Sequence, residues 1–263
     1  MLRQFEGNYE TALFSERRCP LVERDRNITT LTTELNRSLS HFEISSIYQR
    51  IHFFAQINLE TDRFKTTLEY QVDCSSYDGT DGNDMPGDGN KYKGHGLLQL
   101  TRRNIYLRYF KYIANNFRRY KEVCIFGERS LEEVILQIHQ KTQPEATRTD
   151  LDNTVIYNIL QERNNNFEII ISNYLFFACD SAAWVFSVDK ICPKYNPNFP
   201  LHVRFKLFKE IEGLTLNEMA NFKDRVITPI SFLVNGGSNG LSERNDYYFN
   251  LKTLLKNNYS CEL

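Results

Sequence analysis

Asn166-Phe-Glu-Ile-Ile-Ile-Ser-Asn-Tyr-Leu-Phe-Phe-Ala-Cys-Asp-Ser-Ala-Ala-Trp-Val-Phe-Ser187 is apolar nearly all round. A helix without a polar face has no side to give to water, so this stretch predicts a helix buried at the centre of a core. Working outward, Leu31, Leu35 and Leu39 recur at four-residue spacing and predict a helix over residues 29–42. Residues 44–60 predict a stronger one, with Ile44, Ile47, Tyr48, Ile51, Phe54 and Ala55 on one face. Helical periodicity resumes over residues 101–120, 131–140, 152–163, 217–234 and 241–256. Between these lie a Gly-, Asp-, Asn- and Ser-rich stretch over 71–93 that reads as a long exposed loop, and a connection over 142–150. A turn-rich break over 193–200 and the glycine turn Asn235-Gly-Gly-Ser-Asn-Gly240 complete the punctuation. Alternating strand patterns are scarce and no repeat recurs, so the expected fold class is mainly α.

The 263 residues suit one large domain or two lobes and suffice to bury a real core. Residues 1–28 are charged and irregular and read as an N-terminal extension. The remainder, 29–263, reads as the main domain, with about 109–161 as a candidate inserted helical lobe. Lys+Arg is 32 against Asp+Glu 33, a balance that gives no reason to expect nucleic acid or an anionic membrane as partner. No run of about 18 apolar residues exists, so no membrane insertion is expected. The start, Met1-Leu-Arg-Gln-Phe-Glu-Gly-Asn8, lacks the basic-then-apolar signature of a secretory signal. On that reading the chain is made in the cytoplasm without a signal peptide. Cys19, Cys74, Cys124, Cys179, Cys192 and Cys261 are scattered, with no Cys-x-x-Cys, which argues against a zinc site or a thioredoxin-like motif. Most are expected to be free thiols. No metal and no cofactor is expected.

Chemistry concentrates around Lys91-Tyr-Lys-Gly-His-Gly-Leu-Leu-Gln-Leu-Thr101, where two glycines flank a tight turn and an apolar run carries the lone amide Gln99. Upstream stand two carboxylates, Glu60 and Glu69. Polar groups to hold a saccharide and two acids to break a glycosidic bond are the inventory of a sugar-cleaving cleft. On one unbroken helix those acids would sit roughly 13 Å apart along the axis and on opposite faces. Acid–base work across a sugar bond needs about 5–9.5 Å. If they cooperate, the helix must end soon after Glu60 and the chain must turn to bring Glu69 back. Thr61-Asp62-Arg63 and Thr66-Thr67 are weak helix formers and permit this.

Two other patterns fail. Gly236-Gly-Ser238-Asn-Gly240 has the letters of a nucleophile elbow, but none of His41, His52, His95, His139 and His202 follows Ser238, and no strand precedes it. It reads as a glycine turn ending a helix. The acidic loop over 73–90 never meets the EF-hand register: counting from Asp81, Met85 takes a ligand position.

Four co-linear blocks carry a resemblance. They are Phe53-Phe-Ala-Gln-Ile-Asn-Leu-Glu-Thr61 with Phe64, then Pro86-Gly-Asp-Gly-Asn-Lys-Tyr-Lys-Gly-His-Gly-Leu-Leu-Gln-Leu-Thr101, Asp180-Ser-Ala-Ala-Trp184, and Val234-Asn-Gly-Gly-Ser-Asn-Gly-Leu-Ser-Glu-Arg244 with Tyr247. Together they resemble glycoside hydrolase family 19, the chitinase and phage-endolysin lysozyme family. The resemblance implies a lysozyme-like, two-lobed helical fold with a central cleft. It implies Glu60 as general acid and Glu69 as general base of an inverting hydrolysis, with Phe54, Leu59 and Phe64 as an apolar wall beside the acid. Gln99, Thr101, Asn235 and Arg244 match substrate-binding positions, Arg244 also pairing near the acid. Asp180, Ser181 and Trp184 read as core packing.

This chain departs from the family pattern at Leu59, usually histidine, and at His95, usually arginine. Its asparagine Asn104 is also shifted by one position. The implied partner is peptidoglycan or a chitin-like polysaccharide. The implied setting is the bacterial cell wall, reached as a phage endolysin or as an exported antibacterial effector. An effector would also bring an immunity protein that plugs the cleft. The other expectations to weigh are a chitinase and an inactive glycan- or partner-binding homologue.

Overall fold

The computed structural model describes residues 13–194 and 207–259; most of the break over 193–200, the first part of the N-terminal extension and Cys261 lie outside them. The described residues are mainly α-helical. The long helices are α1 (Ile28–His41) and α2 (Ile47–Glu60). A short α3 (Asp88–Lys91) follows, then α4 (Arg103–Asn115) and α5 (Phe117–Tyr120). A two-residue hairpin, β1 (Cys124–Ile125) with β2 (Arg129–Ser130), leads into α6 (Leu131–Gln140) and α7 (Asn153–Gln161). Next come α8 (Ile170–Asn173) and α9 (Leu175–Trp184), then α10 (Phe208–Ile211), α11 (Leu216–Met219), α12 (Ile227–Asn235) and α13 (Leu241–Tyr259).

The helices begin where their caps predict. Asn27 accepts the Thr30 N–H at the start of α1, and Ser46 with Gln49 forms a reciprocal capping box on α2. The same reciprocal device, here Ser130 with Glu133, starts α6. Along α1, Leu31, Leu35 and Leu39 form a buried stripe, and α1 lies against α9. Helix α2 is buried on every side from Ile51 to Asn58 and packs against α13, α12 and α11. It is therefore a central helix, and its buried polar residues all need partners.

The stretch over 166–187 is buried, as its composition requires, but it is not one helix. A 3-10 turn (Phe167–Ile169) runs into α8, the chain extends at Tyr174 (φ −126°, ψ 124°), and α9 restarts in a direction bent by 100°. The break has a physical cause outside the stretch. Asp25 Oδ2 accepts the Leu175 N–H at 3.0 Å, and the Asn173 carbonyl accepts the Val22 N–H at 3.0 Å. These bonds satisfy the backbone groups that a break exposes. All ten residues of α9 are buried, and no single described helix is long and apolar enough to cross a membrane.

The expected helix over 217–234 is also interrupted. Between α11 and α12 lies a 3-10 segment with Lys223 at φ 58°. The Lys223 carbonyl there accepts a 3.0 Å hydrogen bond from His52 Nε2, which gives that buried ring its partner.

Residues 13–27 lie along the core rather than off it. Phe14, Cys19 and Leu21 are buried, and the Phe14 N–H bonds the Phe64 carbonyl at 2.7 Å. Within residues 109–161, α7 packs against both α4 and α6. Cys19, Cys74, Cys124, Cys179 and Cys192 are free thiols. The expected exposed loop over 71–93 is partly wrong: Cys74, Asn83, Asp88 and Gly89 are buried. Asp78 ties the loop down by accepting the Gly87 and Gly89 N–H groups at 3.0 and 2.6 Å.

Asp180 sits at the centre of α9 as a buried carboxylate. It accepts from the Tyr109 and Tyr120 hydroxyls, both at 2.8 Å, and from the Arg119 guanidinium at 2.5 Å. Trp184 packs on Tyr109 at 5.1 Å between ring centroids. These residues belong to the core, as expected.

Candidate functional site

A cleft of about 790 Å³ runs along the end of α2, and Glu60, Glu69, Gln99, Thr101 and Asn235 all line it. Helix α2 ends on Glu60. Thr61 Oγ1 accepts the Phe64 N–H at 2.8 Å, and Asp62, Arg63 and Phe64 follow one another in the left-handed region at φ 47°, 61° and 60°. Non-glycine residues cost about 1–3 kcal/mol each when held in sparsely populated conformations such as this. The run reverses the chain within three residues, which the helical alternative could not do. Thr61-Asp62-Arg63 thus supplies the turn that the spacing of the two acids demands.

After the turn, residues 67–69 pair with the glycine segment. The Glu69 N–H bonds the Gly94 carbonyl at 2.9 Å, the Gly96 N–H bonds the Thr67 carbonyl at 2.8 Å, and His95 bridges to both Leu68 and Leu100. This small antiparallel floor sets Glu69. Its Oε2 accepts the Gly94 N–H at 2.8 Å and its Oε1 accepts the Tyr77 hydroxyl at 2.9 Å. Burial and then the bond to Glu69 push the Tyr77 phenol up to about 12, so it stays a donor.

Glu60 is held differently. Its Oε1 accepts from Arg244 Nη2, and Arg244 Nη1 bonds Gln56 Oε1 at 2.6 Å. The Arg244 side chain is only 2 % exposed against 17 % for Glu60. Arg244 therefore stands behind the cleft wall and supports the acid, and does not line the cleft as a substrate-binding residue would. Gln56 lies one helical turn before Glu60, an amide at i, i+4 spacing that sequence reasoning passed over. Of the apolar wall expected beside Glu60, Phe54 and Phe64 are buried in the core. Leu59 sits against Gly240, where an added Cβ would collide with its Cδ2.

Gln99 has φ 50° and borders the cleft, but its amide head is folded into the turn. Nε2 donates to the Gly96 carbonyl at 2.9 Å, and Oε1 is buried with no donor among the described residues. Gly94 leaves room for that head, since a Cβ there would clash with Gln99 Oε1 and lie 3.2 Å from Gln99 Cβ. Thr101 Oγ1 donates to the Gln99 carbonyl at 2.7 Å. Asn235, the last residue of α12, donates from Nδ2 to the Asn239 carbonyl at 3.0 Å across the glycine turn. The turn's Gly236 is the left-handed residue that ends the helix.

His95 does not line the cleft. It is buried, its Nδ1–H donates to the Glu168 carbonyl at 3.0 Å, and it packs edge-on to Tyr106. Burial pushes its pKa down to about 4, so it is neutral at neutral pH. Sequence reasoning also missed Tyr70, Tyr77, Asp81, Arg102 and Lys190 on the cleft lining. Tyr70 and Arg102 adjoin the predicted Glu69 and Thr101 in sequence, whereas only the fold brings Tyr77, Asp81 and Lys190 to the cleft. Comparison with known proteins returned no matching family model and no matching curated protein.

Proposed function

We propose that this chain is a glycoside hydrolase that cuts the glycan strand of peptidoglycan between N-acetylated sugars by inverting acid/base hydrolysis. The observation that carries the reading is the convergence of Glu60 and Glu69 on one cleft despite their nine-residue separation. The resemblance of four sequence blocks to glycoside hydrolase family 19 supports it. Inversion uses one carboxyl group to protonate the leaving oxygen and the other to activate water on the far face of the sugar. Glu60 takes the first role. Arg244 occupies its Oε1, so Oε2 is the atom that carries the proton to the glycosidic oxygen. Glu69 takes the second. Its two oxygens are aimed by the Gly94 N–H and the Tyr77 hydroxyl and keep lone pairs for a proton from water. Thr101 and Asn235 offer hydroxyl and amide groups to the saccharide. The biological setting that fits is lysis of a cell wall, by a phage endolysin or an antibacterial effector.

The test is release of reducing ends from purified peptidoglycan and from chitin oligomers by wild type and Glu60→Gln. Glutamine keeps the acceptor for Arg244 but cannot donate the proton, so the expected result is a loss of about 10²–10⁴-fold with the fold intact. Cleavage of chitin alone would move the assignment to a chitinase. Full activity in Glu60→Gln would refute the role of Glu60, and binding without cleavage by wild type would identify a non-catalytic glycan binder.

A further inference from the structure

The cleft holds a cation that the acid–base scheme does not use. Lys190 lines it, directly after the π-helical turn Val185–Asp189 that ends α9. Its backbone is fixed at both ends of the peptide unit: its N–H bonds the Val185 carbonyl at 3.0 Å, and its carbonyl accepts the Leu216 N–H at 3.2 Å. The ammonium makes no hydrogen bond or ion pair among the described residues. The two nearby acids are already engaged. Asp189 holds Arg108 through both oxygens, at 2.6 and 3.1 Å, and Asp81 holds Arg102 at 2.6 Å. Burial lowers the Lys190 pKa despite the opposing pull of Asp189. An ammonium in that position carries a desolvation cost that an anionic ligand group would offset. Arg102 lines the same cleft but is neutralised by Asp81, so among the described lining residues Lys190 is the cation without an ion-pair partner.

We infer that Lys190 is a specificity residue that binds a carboxylate carried by the glycan, which selects peptidoglycan over the uncharged chitin chain. The inference presupposes a saccharide in the cleft. Peptidoglycan offers that carboxylate from two sources: the stem peptide, or the lactyl group once the peptide has been removed. A chitin oligomer has neither.

Binding to the Glu60→Gln protein, measured by calorimetry, separates this inference from the hydrolase reading because no turnover is required. Three glycans of equal length serve as probes: a peptide-bearing strand, a strand stripped of its peptides, and a chitin oligomer. The anionic glycans should bind about tenfold more tightly than the neutral one, as expected for a partly desolvated charge pair. Adding Lys190→Met should bring that ratio to about one, and Lys190→Arg should restore most of it. The preference should also weaken with added salt. Whichever anionic probe loses affinity in Lys190→Met identifies the source of the carboxylate. An unchanged ratio in Lys190→Met overturns the inference even if wild type cleaves peptidoglycan. A Lys190-dependent ratio with no cleavage by wild type sustains it and removes the hydrolase reading instead. Failure of all three glycans to bind overturns both.

Discussion

Replacing Arg244 with methionine tests how the cleft wall holds its acid. Methionine keeps the unbranched apolar stem and removes every donor. Arg244 is buried and bonds Glu60 and Gln56, so its loss strands two acceptors. Breaking a fully buried ion pair costs about 3–5 kcal/mol because the remaining charge is unpaired. Glu60 is 17 % exposed and borders the cleft, so water recovers part of that charge, which brings the expected cost to about 2–3 kcal/mol. The unpartnered Arg244 Nε, buried in the native protein, is removed at the same time and pulls the estimate toward the lower value. For a chain of this size each kcal/mol moves Tm by roughly 2–4 °C, so Arg244→Met should melt about 5–10 °C below wild type.

Turnover should fall more steeply than stability, because Glu60 loses the contact that sets its direction. Thermal melts read the first effect, and reducing-end release well below the melting range reads the second. Glu60→Gln is the comparison: it keeps an acceptor for the guanidinium but leaves that buried charge unpaired, so it should also melt several degrees below wild type, while its turnover falls through loss of the proton donor. A variant Arg244→Met that melts with wild type and cleaves glycan at the wild-type rate would refute the support role of this arginine.

Other perturbations have equally specific outcomes. Gly94→Ala places a methyl group against the Gln99 amide head and strains the N–H that holds Glu69. Glycan cleavage should drop at least tenfold, about 1.4 kcal/mol of transition-state stabilisation, while far-UV circular dichroism stays native. Asp180→Asn removes the buried charge opposite Arg119 and should cost about 3–5 kcal/mol, read as a shift of the urea midpoint without a change in m. His52 and His95 are buried, and burial pushes both down to about 4. The unfolded chain, whose histidines titrate near 6.5, therefore binds more protons between pH 6.5 and 4. Stability should be complete above that window and fall as pH drops through it, by up to about 3 kcal/mol per histidine. Melts from pH 7 to 4.5 check this, and His95→Asn, whose amide can still donate to the Glu168 carbonyl, should flatten the slope.

The mainly α architecture was legible because helix periodicity and capping are local. Asn27, Ser46 and Ser130 announce their helices within three residues, and α6 begins and ends where its apolar pattern does. The breaks at Tyr174 and Lys223 were not legible. The groups that stabilise them, Asp25, Val22 and His52, stand about 150 residues or more away along the chain. The same division runs through the candidate site. The sequence by itself put two glutamates and a glycine-bounded turn in one order and required a reversal after Glu60. Only the tertiary structure decided that three left-handed residues make the reversal, that Arg244 stands behind Glu60, and that His95 turns away from the cleft. A residue's type and spacing are written locally, whereas its partner, burial and direction depend on surfaces that exist only once distant helices have packed.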